Sequence, residues 1–230
     1  MSMDTYSELV AQAPAGERER FIRQTYLHLA CAVLAFIVVE WLLLQWSGAD
    51  ALAYLMTRRY AWLLVLLAFM AASSVAERWA RSDTSPGTQH LGLGLYVVAG
   101  AVIVLPLLYV AAYFGSPAVI PTAGALTALL VAGLTFAAFT SGADFSFRRG
   151  ALTIGSFVAL GLIVASILFG FTLGLLFSVA MVVFAAGAIL YQTSNVLRHY
   201  RTDQHVAAAL ALFAAVALLF WYVLRITSRR

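Results

Sequence analysis

The sequence contains no lysine, and charged residues of all kinds fill only 10% of its 230 positions. Water-soluble domains carry about 25%, so an ordinary soluble domain is excluded. A single cysteine, Cys31, leaves no internal disulfide to form. Seven apolar spans would otherwise invite a retinal protein, but without lysine there is no amine for the Schiff base. No H-E-x-x-H, G-x-S-x-G or phosphate loop occurs. The chain is therefore read as a non-enzyme with no cofactor. The first twenty residues have no apolar stretch of signal-peptide type, so cleavage is not expected. The net charge of +4 comes from arginines in loops and ends. That pattern describes orientation in a lipid bilayer, not affinity for nucleic acid.

Apolar residues make up 63% of the chain. They recur in runs of about 20, the length that crosses a bilayer core. The expected fold is all-α: a polytopic membrane protein with seven transmembrane helices, the C-terminal one wrapped by the other six. A polar segment, residues 1–24, precedes a transmembrane domain over 25–227. The spans read as 25–46, 60–79, 91–114, 119–139, 151–169, 172–197 and 206–226. Residues 47–59 read as a connector, Pro86-Gly87 as a turn, and Pro106 as a kink in the third span. Gly170 and Gly174 join the fifth and sixth spans almost without a loop.

The last span has an unusual texture. Ala207, Ala208, Ala209, Ala211, Ala214, Ala215 and Ala217 point all round the helix rather than along one stripe. Helices in lipid approach closely where side chains are small. Small residues on every side thus predict helix neighbours on several sides, with Val206–Ile226 as a central post.

Seven crossings place the two ends of the chain on opposite sides. Nine of the fourteen arginines then fall on the N-terminal side. Positively charged loops stay cytoplasmic, so the expected protein sits in a bacterial inner membrane with its N-terminus inside.

Ionisable groups within a bilayer are costly and usually functional. Glu40 is the one acid well inside a span. It reads either as a proton or cation site or as a carboxylate reaching outer-face water, since Trp46 lies about 9 Å further along the axis at 1.5 Å per residue. Glu77 reads as an interfacial partner of Arg78. His28, His90, His199 and His205 all fall on the inner side, beside Asp203. They read as a proton-sensing cluster, as a zinc site, or simply as polar helix ends at an interface. The spacing of His199 and His205 matches no standard metal motif. Thr202 or Asp203 reads as the N-cap of the last helix. Gln192, Thr193, Ser194 and Asn195 either line a hydrophilic vestibule or satisfy carbonyls at a helix end. Asp144 and Arg148, four apart, suit a cap and an ion pair at the start of the fifth span.

Three stretches resemble the Bax inhibitor-1 family. They are Phe21-Ile22-Arg23-Gln24-Thr25-Tyr26, Thr140 with Asp144-Phe145-Ser146, and Ile189-Leu190-Tyr191-Gln192-Thr193-Ser194. The resemblance covers nearly the whole chain. It implies a seven-helix fold whose last helix is enclosed by the others, which agrees with the alanine argument. It also implies a pH-sensitive calcium leak or, as in some bacterial members, restraint of a membrane-bound AAA protease. The leak is tied to two aspartates that share a proton, one in the sixth helix and one in the seventh. Here those places fall at Gln192 and at or near Ala215, and no acid occurs from Val206 to Ile226. Gln and Ala cannot titrate, so the two-acid sensor is expected to be missing.

Overall fold

The computed structural model describes residues 9–82, 85–141, 145 and 149–229. These residues form helices α1 (Ala15–Gln45), α2 (Ala49–Thr57), α3 (Arg59–Ala80), α4 (Pro86–Phe114), α5 (Val119–Ser141), α6 (Arg149–Phe169), α7 (Leu175–Arg198) and α8 (His205–Thr227). Seven of them, all but α2, are long and apolar enough to cross a membrane. The protein is a multi-pass membrane protein.

The expected central post is α8. It packs against α1, α3, α4, α5 and α7. The sixth, α6, packs on α7 and α3 and joins α8 through the cluster of Ala159, Met181 and Tyr222. The alanines explain the close approach. Val206, Ala207, Ala208, Ala209 and Leu210 are consecutive and all buried, so every side of the first turn is covered. Further along, Phe213 fills the centre, with ring centroids 5.9 Å from Phe36 of α1 and 6.1 Å from Tyr96 of α4.

A second inner helix was not singled out by the sequence. In α4, 56% of the most apolar window is buried, close to the 61% of α8 and far above the 6% of α3 and α6. Its buried positions Leu93, Tyr96, Val97, Val104 and Leu108 share one face, while Leu91, Val98 and Val110 are exposed. Both faces are equally apolar because one meets protein and the other meets lipid tails.

The helix ends revise several expectations. The polar segment is helical from Ala15. Ahead of it, Val10 is fully buried and donates its N–H to the Tyr200 carbonyl at 2.9 Å. The expected connector after the first span contains α2, whose Ala49, Ala53 and Met56 are buried. Pro86 opens α4 instead of turning the chain: Ser85 caps it by accepting from the Thr88 N–H at 3.2 Å. Pro106 lies inside α4, which runs unbroken to Phe114. The residue before α8 is Gln204, and no side chain caps that helix; Asp203, expected as a cap, instead pairs with Arg201. Between α6 and α7, Gly170 adopts φ 78°, a conformation that favours glycine.

Candidate functional site

The N-terminal end of α8 gathers most of the polar side chains that the sequence singled out. There α7 ends at Arg198, α8 begins at His205, and α3 brings Glu77 with Arg81 just after its end. A pocket of about 100 Å³ lies between them, lined by Glu77, Ala80, Arg81, Gln192, Ala207, Leu210, Ala211 and Ala214. Its floor is the alanine face of α8; its polar wall is one carboxylate, one guanidinium and one amide. This is room for a few water molecules.

Gln192 lines this pocket. It is half-buried, and its Oε1 accepts from Asn195 Nδ2 at 3.4 Å. Its neighbours do something else. Thr193 and Ser194 are buried, and Ser194 Oγ accepts the backbone N–H of Phe145 at 3.2 Å, which ties the segment after α5 to α7. Glu77, expected beside Arg78 as an interfacial ion partner, lines the pocket instead. Tyr200 is buried in the loop beside this pocket. Burial pushes its phenol up, with the Arg81 charge pulling the other way.

The histidines divide. His205 is the first residue of α8, and its ring centroid is 5.0 Å from that of His28. His28 in turn lies 5.1 Å from His90. His199, expected in the same cluster, is an exposed C-cap residue of α7. Asp203 is half-exposed, with Oδ2 2.9 Å from Arg201 Nη2. Among the described residues no group of three or more His, Cys, Asp or Glu is arranged to hold a metal ion. Asp144 lies outside the described residues.

Glu40 is at the other end of the bundle, on the last third of α1. Its residue is 4% exposed, and neither carboxylate oxygen has a hydrogen-bond partner. The expectation that it reaches outer-face water does not hold.

A family model described as the inhibitor of apoptosis-promoting Bax1 matches residues 18–230. The chain belongs to the Bax inhibitor-1 family. Among curated proteins, it is 36% identical over 118 residues to an uncharacterized protein of Pseudomonas aeruginosa. That match covers 50% of this chain and 53% of the relative, so the alignment spans about half the length of the curated relative. Within this Bax inhibitor-1 fold, the two positions to which the resemblance pointed are now placed. Gln192 lines the pocket, and Ala215 is buried on α8. Neither is an acid. Among the described residues, Glu77 lines the pocket and Glu40 is buried at the far end.

Proposed function

We infer that the protein is a leak pathway for cations, calcium among them, across the bacterial cytoplasmic membrane, with its N-terminus inside and without a two-acid pH sensor. The observation that carries this reading is Glu40. A carboxylate within the bilayer is expensive and calls for a partner, yet both oxygens of this one are buried and unpaired. A passing cation is a partner that its two oxygens can accept. At the opposite end, the pocket with Glu77 and Gln192 offers a polar mouth on the alanine face of α8. The test is calcium flux into dye-loaded liposomes containing the purified protein. Flux is expected in the wild type and is expected to fall at least tenfold in Glu40→Gln. No flux at any pH overturns the reading.

A second reading has an observation of its own. Beyond the pocket, Leu212, Phe213, Leu219 and Leu224 are each at most 2% exposed, which leaves α8 tightly sheathed. A sealed bundle suits a non-conducting modulator of membrane proteins, such as a partner that restrains a membrane-bound AAA protease. Crosslinking in native membranes separates the two. Recovery of a protease partner, together with absent flux, favours the modulator.

A further inference from the structure

The side chains of His28 and His90 meet in an arrangement that neutral imidazoles cannot satisfy. His28 Nδ1 is 2.8 Å from the carbonyl oxygen of Gln24, one helical turn earlier. His90 Nδ1 is 2.6 Å from the carbonyl oxygen of Pro86, also one turn earlier. A carbonyl oxygen only accepts, so each Nδ1 must carry the hydrogen. In a neutral ring the other nitrogen, Nε2, is then a bare lone pair. The two Nε2 atoms are 3.0 Å apart. Two neutral rings would thus press lone pair against lone pair at hydrogen-bond distance.

We propose that His28 and His90 form a one-proton site, in which a single proton taken from water lies between the two Nε2 atoms and clamps α1 to α4. One imidazolium donates to one neutral imidazole, and the pair carries one positive charge. With no proton the lone pairs repel. With two protons both rings are cations with N–H groups pointed at each other. Only the singly protonated pair fits the observed contact.

The surroundings are compatible with one added charge. His28 is half-buried and His90 is exposed, so protons reach the pair from bulk water. The third ring, His205 of α8, is 5.0 Å from His28 between centroids, and its Nδ1 is shielded without a hydrogen-bond partner. The charges that act on His205 are those of His28, His90, Asp203 and Arg20, and Asp203 is itself paired with Arg201. Among the described residues no carboxylate is hydrogen-bonded or ion-paired with His28 or His90. The metal alternative lacks a third ligand among the described residues. The pair uses none of the residues lining the Glu77–Gln192 pocket, and the clamp holds whether or not the bundle conducts.

The experiment uses full-length protein in lipid nanodiscs, labelled with ¹⁵N-histidine, near neutral pH. A scalar coupling between the two Nε2 nuclei across the hydrogen bond is expected, with both Nδ1 atoms protonated. His28→Gln and His90→Gln each assign one ring and should leave the other with an uncoupled Nε2. Thermal unfolding gives a second readout. At pH 7 the wild type should unfold about 2–4 °C above His90→Ala, because the variant loses the clamp between α1 and α4. Uncoupled, unprotonated Nε2 signals on both rings would overturn the proposal. So would stoichiometric zinc whose chelation shifts those signals, or a Tm that His90→Ala leaves unchanged.

Discussion

Gly92 of α4 lies directly against the backbone of Ala76 of α3. A β-carbon added at Gly92 would come within 2.5 Å of the Ala76 carbonyl oxygen and 2.6 Å of the Ala80 nitrogen. Neither obstacle is a side chain that can swing away. The two helices touch backbone to backbone here, as small residues permit in lipid. Gly92→Ala is expected to destabilise the fold by about 1–3 kcal/mol through forced displacement. Gly94→Ala, two residues on with nothing within 4 Å, is the control. It should be neutral or slightly stabilising by the helix propensity of alanine. Unfolding in mixed detergent micelles compares the two, and equal losses would contradict the close contact.

The centre of the bundle should be its most sensitive point. Phe213 is 1% exposed and stands between Phe36 and Tyr96. Phe213→Ala leaves a cavity that cannot refill, at a cost of roughly 3–5 kcal/mol. Phe136→Ala, on an exposed residue of α5, should stay within about 0.5 kcal/mol. The same unfolding assay reads both.

Glu40 should show a trade between stability and function. Its carboxylate is buried with both oxygens unpaired, so Glu40→Leu removes a desolvation penalty. The expected gain is about 1–3 kcal/mol. If the cation reading holds, the same variant loses flux. A loss of stability would instead mean that the carboxylate has a partner.

Alanines on different sides of α8 should behave differently. Ala208 is fully buried, so Ala208→Leu overpacks a helix–helix contact and should cost about 1–3 kcal/mol. Ala211 lines the pocket. Ala211→Leu should fold with near-normal Tm, fill the space opposite Gln192, and reduce any flux measured in liposomes.

The Arg201–Asp203 pair should matter little. Its side chains are 42% and 41% exposed, and such surface pairs contribute at most about 1 kcal/mol. Asp203→Asn should leave both Tm and flux almost unchanged. A tenfold change in flux would restore Asp203 as a functional group.

Much of this architecture is legible in the sequence. Seven runs of apolar residues gave seven spans, because length and hydrophobicity are what a bilayer selects. The alanines of α8 marked the enclosed helix, because small side chains are informative even where everything is apolar. The inner role of α4 was not legible: Leu93 is buried and Leu91 exposed, and leucine suits a protein core and lipid tails equally well. The short helix α2 was missed because its nine residues are too few to cross a membrane.

Composition and order alone determined that the chain is helical, spans a membrane seven times, and has no acid on its last helix. Those properties follow from local chemistry repeated along the chain. Tertiary structure decided which polar groups meet. It set His28 against His90, sixty-two residues apart, left His199 outside, and put Gln192 and Glu77 on one pocket. It also buried Glu40 without a partner. Such meetings depend on how helices pack across the bundle, and hydrophobicity that is the same on every face carries no record of that choice.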